Sequence, residues 1–190
     1  MKALHGRVLC LLATALLGGC QSSGTGPQDN VQVIIAGGGA WPASLAGRWK
    51  SDQHGWELAF DPDGRIASAV LSLGRVQVMP GRRTTAPTRG GQGIFEPGLW
   101  TVHYVPATSQ LTVKIVMDHV RVEMDGNVLE GRSVDTFSGT ISEPDGVWQT
   151  QWTAFTQYQV HTGQEGDVEL STDPTYGETQ ALTFQKASPE

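Results

Sequence analysis

The groups in this 190-residue sequence with chemistry to offer are two thiols, five histidines, 19 carboxylates and a few hydroxyls. Cys20 follows Leu17-Gly18-Gly19, and Cys10, the only other cysteine, sits inside the apolar run Val8 to Leu17. If that run is removed no second thiol remains, so Cys20 cannot be half of an intrachain disulfide. His54, His103, His119 and His161 lie far apart in register and lack the spacing zinc requires, so neither a metal nor a cofactor is expected. Asp61/Asp63 and Glu143/Asp145 look like paired carboxylates, but both pairs bracket a proline and precede a glycine, which turn chemistry already explains. Gly37-Gly38-Gly39 imitates a dinucleotide-binding turn. Pro42 occupies the third glycine position and no βαβ unit follows, which leaves an edge strand and a loop. With no serine in a nucleophile elbow, and no base and oxyanion site to serve one, the chain is read as not an enzyme. One carboxylate stands apart. Asp135 alternates with Ser133 and Phe137 on a strand face that is otherwise apolar. A buried carboxylate needs partners or raises its pKa, and Ser133, Thr150, Thr156, Tyr104 and His119 are the nearby hydrogen-bonding groups. It either grips a ligand in an apolar pocket or sits solvated, or bonded to backbone, at the mouth of the fold.

The elements that must position these groups read almost entirely as strand and turn, because helical periodicity never lasts three turns. Short strands are expected at Val31 to Ala36, Leu45 to Lys50 and Trp56 to Phe60, an extended run at Arg65 to Met79, and a long Pro- and Gly-rich break at Pro80 to Gly98. Leu99 to Val105 places Trp100, Val102 and Tyr104 on one face. Leu111 to Met124, Val128 to Ile141 and Val147 to Val160 are long strands joined by the type I′ signal Asp125-Gly126 and by Glu143-Pro144-Asp145-Gly146. His161 to Gln180 reads as a polar loop and Ala181 to Lys186 as a last strand. The turns set registers: Ile141 opposes Trp148, Phe137 opposes Trp152, Glu130 faces Arg121, and His103 opposes Lys114. The inward parity of Leu111, Val113, Ile115 and Met117 is not that of Val120, Val122 and Met124, so a β-bulge is expected at Asp118 or His119.

The start of the chain carries Lys2 and Arg7, then the ten-residue apolar run, too short to span a bilayer. Together with Leu17-Gly18-Gly19-Cys20 this resembles the lipobox of bacterial lipoproteins. The resemblance implies a signal peptide over 1–19, acylation of Cys20 and a membrane partner reached through that lipid. Gln21 in place of an aspartate implies the periplasmic face of the outer membrane. The alternative is an ordinary secretory signal with Cys20 incidental. Loss of Lys2 and Arg7 leaves 11 basic residues against 19 acidic ones, a balance of −8, and excludes sequence-independent nucleic-acid binding.

Leu45-Ala46-Gly47-Arg48-Trp49 resembles the Gly-x-Trp element of the calycins, the group of lipocalins, fatty-acid-binding proteins and avidins. The resemblance implies an all-β fold, an antiparallel up-and-down meander of about eight strands closed into a small barrel. The chain lacks the family's late arginine, having only Lys186 in its last strand, and Thr172-Asp173 is followed by Pro174 rather than tyrosine. Another antiparallel barrel or a sandwich therefore stays open. The domain division is 1–19 signal, 20–44 tether and lead-in, 45–186 barrel and 187–190 tail.

The expected function is a lipid-anchored, non-catalytic envelope protein that binds a small apolar ligand or envelope component. Trp100, Tyr104, Asp135, Trp152 and His119 are the candidate ligand contacts. Arg82, Arg83 and Arg89 are candidate contacts to an anionic partner such as lipopolysaccharide or peptidoglycan, on a loop that with 161–180 either lids the barrel mouths or is simply solvated. The alternative is a protein-interaction module such as an inhibitor of an exported hydrolase.

Overall fold

The computed structural model describes residues 30–73, 75–162, 168–171 and 179–188. Cys20, the signal segment and nearly all of the tether lie outside the described residues, as do 163–167 and 172–178 of the polar stretch. The described chain is all-β, with short 3-10 turns at Ala43–Leu45 and Pro106–Thr108 and no α-helix. In chain order the strands are β1 (Val31–Ile35), β2 (Gly47–Ser51), β3 (Glu57–Phe60), β4 (Ile66–Val70), β5 (Gln77–Val78), β6 (Thr84–Thr88), β7 (Gly91–Pro97), β8 (Trp100–Val105), β9 (Gln110–Met124), β10 (Asn127–Ser142), β11 (Val147–His161), β12 (Val168–Ser171) and β13 (Thr179–Lys186).

The three long strands β9, β10 and β11 form the spine. Asp125 and Gly126 both take positive φ (51° and 80°), which matches the hairpin turn to the twist of its strands. Ile141 pairs with Trp148, Phe137 with Trp152 and Glu130 with Arg121, as the turns require. The parity change on β9 is met by a bulge. Gly131 pairs with Val120 and Ser133 with Met117, so Asp118 and His119 stand opposite the single residue Arg132. The bulge keeps Val113, Phe137 and Trp152 in one row.

Each outer edge of the spine is shared by two strands. The first half of β9 pairs with β8 and its second half with β7. The first half of β11 pairs with β13 and its second half with β12. From β13 the sheet continues through β2, β3, β4 and β5, while β1 is added to β8 in parallel.

Several expectations are corrected by this topology. Among the described residues thirteen strands, not eight, are hydrogen-bonded into one sheet, and the β1–β8 pair is parallel. The sheet does not close into a barrel: its pairing ends at β1 on one side and at the two-residue β5 on the other, too short to carry a closing ladder. Arg65 to Met79 is not one extended run but the hairpin β4–β5. Pro80 to Gly98 is not a lid but largely the hairpin β6–β7, which satisfies the free edge of β9. Pro87 is tolerated there because β6 is an outer strand that pairs only with β7. Part of 161–180 is likewise a strand, β12. His103 pairs with Thr112, and it is Thr101 that meets Lys114, because the 3-10 turn at Pro106–Thr108 shortens the connection.

Side chains do what backbone pairing does not. Trp41 packs on Phe60 of β3 (5.6 Å between ring centroids) and on Tyr104 of β8 (5.5 Å), joining distant parts of the curled sheet. Inside, Phe137 lies edge-on to Trp56 (5.0 Å) and Phe184 (5.5 Å) and parallel to Trp152 (6.3 Å). Each such aromatic pair is worth about 0.5–1.5 kcal/mol beyond its buried area, so this cluster carries much of the core.

Candidate functional site

The cavity that matters lies where the bulge turns β9. It has a volume of about 230 Å³ and draws on every strand of the spine. Met117 and Val120 reach it from either side of the bulge, Ser133 and Asp135 from β10, and Trp152, Ala154, Thr156 and Tyr158 from β11. Phe95 of β7 and Trp56 close the sides. Leu71, Ser72 and Leu73, in the turn between β4 and β5, lie across it, with Leu73 exposed at the rim. Alternation explains the lining: on β10 and β11 the inward residues fall at every second position, and the bulge lets β9 present Met117 and Val120 to the same side.

Asp135 is the one charged side chain among these. It is 8 % exposed, and its Oδ1 accepts a hydrogen bond of 2.9 Å from the Trp152 indole Nε1. Burial pushes its pKa from 3.8 up to about 6, and the indole bond pulls the other way. Below that pH the cavity is neutral; above it the cavity holds a negative charge in an aromatic wall. Burial holds the Tyr158 phenol above the ordinary range, so it stays protonated alongside the carboxylate. Among the described residues, no basic side chain lines the cavity.

The chain matches no protein-family model, no curated protein and no solved structure with which it was compared. Function has to be argued from this geometry.

Asp135 and Trp152 are the two candidate ligand contacts that share the cavity. Trp100 is fully buried and donates to the Val116 carbonyl (2.9 Å), a core role away from the lining. Tyr104 lies at the other end of the fold, against Trp41 and donating to Glu143 Oε1 (3.0 Å). His119 does not reach Asp135. The bulge turns Val120 inward and leaves His119 on the outer side, where Nε2 meets Glu130 Oε1 at 3.0 Å and Nδ1 lies 3.8 Å from Glu96. His119, with help from Arg121, holds Glu130 below the usual carboxylate range. Of the expected partners of Asp135, Thr150 instead donates to the Gln151 carbonyl, and Ser133 and Thr156 line the same cavity.

Arg82 and Arg83 immediately precede β6, and Arg89 stands in the turn of the β6–β7 hairpin. Arg83 lies 3.4 Å from Glu96, Arg89 pairs with Asp125 through Nε at 2.8 Å, and Arg82 rests near the Met79 sulfur. Two of the three are therefore committed to carboxylates of this chain. Among the described residues, no group of three or more His, Cys, Asp or Glu is placed to hold a metal ion.

Sequence reasoning missed Trp56, Leu71, Leu73, Phe95, Met117 and Val120 as cavity residues. Met117 and Val120 were within reach, since both flank the expected bulge. Phe95 was hidden among glycines and prolines that read as a break.

Proposed function

We propose that the chain is a lipid-anchored, non-catalytic envelope protein that binds a small, mostly apolar ligand in the cavity at Asp135. One observation carries this reading: a cavity of about 230 Å³ walled by Trp56, Phe95, Trp152 and Tyr158, with a single buried carboxylate in it. Binding sites for small molecules are typically mostly apolar hollows with a few convergent polar groups. An apolar cavity of roughly 150 Å³ is enough to hold benzene, so this one suits one ring with a short substituent. Acid–base or nucleophilic catalysis calls for a second positioned group, and the one hydrogen-bond donor identified on Asp135 is an indole, which does not exchange protons near neutral pH.

The envelope location rests on the lipobox-like Leu17-Gly18-Gly19-Cys20. The calycin resemblance is supported at one residue: Trp49 of the Gly-x-Trp element is fully buried, its indole donating to the Leu45 carbonyl at 2.9 Å. A curled sheet around an interior hollow is the arrangement that family would lead one to expect, here held by side chains where the ladder stops.

Two measurements test the reading. Cys20→Ser should abolish labelling by radioactive palmitate and move the protein from the membrane fraction to the soluble one; unchanged membrane association would remove the anchor. Small aromatic compounds added to the domain should change the emission of Trp152 and Trp56, and the change should be lost in Ala154→Trp, which fills the cavity. A panel of single-ring compounds with no effect on wild-type emission and no heat of binding would remove the ligand.

A further inference from the structure

Resting on the cavity reading above, we infer that the ligand is an organic cation, a single-ring or comparably small amine whose ammonium group pairs with the Asp135 carboxylate while its apolar part lies against Trp56, Phe95, Trp152 and Tyr158.

Three features select this class. The carboxylate is buried among cavity-lining residues, and Trp152 satisfies Oδ1 alone. Among the described residues no basic side chain lines the cavity, so none of them supplies a counter-charge and an anionic ligand meets repulsion from Asp135. The remaining wall is rich in aromatic rings, whose faces attract a cation, most strongly where water is excluded. A neutral apolar guest would use the wall but bring nothing to offset the charge of the carboxylate, whose Oδ1 alone is met by the Trp152 indole. An amine uses both, and the protein's overall acidity, −6 for the full chain, favours its approach.

The charge on the cavity depends on pH, and the groups that face Asp135 limit what else can contribute. From β9 come Met117 and Val120, from β7 Phe95, and from the β4–β5 turn Leu71 to Leu73, none of them ionisable. Tyr158 on β11 is held protonated by burial. His54 is the other group to consider, because its ring packs on Trp152 at 5.0 Å between centroids and its Nε2 lies 2.6 Å from Gln180 Oε1. Burial raises Asp135 to about 6, so amine affinity should fall as the pH drops below that value.

The test is titration calorimetry of the whole exported domain with three probes of similar size: 2-phenylethylamine, 2-phenylethanol and phenylacetate. At pH 7.5 the amine should bind at least about tenfold more tightly than the alcohol, with phenylacetate weakest. The amine's advantage should shrink about tenfold per pH unit below 6 in wild type and in His54→Asn alike, and should vanish in Asp135→Asn. If the alcohol binds as tightly as the amine at pH 7.5, the cation is wrong while the cavity reading stands. If none of the three binds, both fail. A pH dependence that disappears in His54→Asn assigns the effect to the histidine and overturns the role given to Asp135.

Discussion

Trp152 donates its indole N–H to Asp135 across adjacent strands, and the two residues are not a direct pair: Asp135 faces Ala154, while Trp152 faces Phe137. The bond is diagonal. It runs from one inward position on β11 to the inward position two residues away on β10, a separation that only a long side chain spans. That diagonal ties the one cavity carboxylate to the aromatic cluster around Phe137.

Asp135 should make the protein less stable at neutral pH than in mild acid. Its folded-state pKa of about 6 exceeds the ordinary 3.8. Between those values the native state binds more protons than the unfolded state, so this group's contribution to stability falls as pH rises from about 4 to about 6 and stays low above that. The shift corresponds to about 3 kcal/mol. Asp135→Asn keeps an acceptor for Trp152 without the charge, and should raise stability at pH 7.5 by about 1–3 kcal/mol while changing little at pH 4. Urea denaturation at both pH values checks it; equal effects at the two would refute the burial argument.

Removing the donor should act in the opposite direction. Trp152→Phe keeps a ring parallel to Phe137 but leaves the carboxylate without its indole bond. The loss should be about 1.5–3 kcal/mol at pH 8, where the acceptor is charged, and about 0.5–1.5 kcal/mol at pH 4.5, where it is not. The carboxyl pKa, followed by NMR, should rise further. A fall would show that another donor takes over.

Asp118 is an extra residue on β9. Deleting it removes the bulge from both neighbouring ladders and restores plain alternation, leaving His119 outward opposite Arg132 and Val120, 1 % exposed in the native fold, still inward opposite Gly131. The deletion should therefore keep Val120 covered, add no dye-binding apolar surface and cost no more than about 1 kcal/mol. Asp118→Ala, which keeps the count, should likewise cost less than about 1 kcal/mol. A loss of about 3 kcal/mol or more with new dye binding in the deletion alone would show that the bulge itself, beyond the parity it reconciles, holds Val120 in the core.

Gly64 serves the turn and the core together. Its φ is +81°, and a Cβ there would stand 2.4 Å from the Trp41 ring. The turn is otherwise secured by Asp61, whose Oδ1 accepts from the backbone of Asp63 and Arg65, each at 2.9 Å. Gly64→Ala should destabilise by about 2–4 kcal/mol and weaken the near-ultraviolet circular dichroism of Trp41 packed between Phe60 and Tyr104. A wild-type spectrum and midpoint would mean that Trp41 has room to move aside.

Much of the spine was legible because its signals are local. Asp125-Gly126 demands positive φ at both positions, Pro144 and Gly146 bound a tight turn, and alternation with a period of two then leaves one register in which Phe137 meets Trp152. The bulge was legible for the same reason, since a change of parity within one strand has few other remedies. These registers put Asp135 on the apolar face and left open whether it is buried there or solvated at the mouth. The proposed acylation of Cys20 rests on the sequence alone, because a lipobox-like signal is read linearly.

What tertiary structure alone decided is how edges are used. Gly91 to Pro97 looks like a break, yet it pairs because β9 runs past the end of β8 and leaves backbone groups that need partners. The sheet stays open because β5 pairs over only two residues, a matter of which lengths meet in space. His119 faces outward and Trp152 reaches Asp135 on a diagonal for similar reasons: a bulge sets direction, and side-chain length sets reach, only once neighbouring strands are in place. Local patterns specify conformation and parity; they carry no information about which distant residues share a cavity, because that depends on sheet curvature summed over the whole chain.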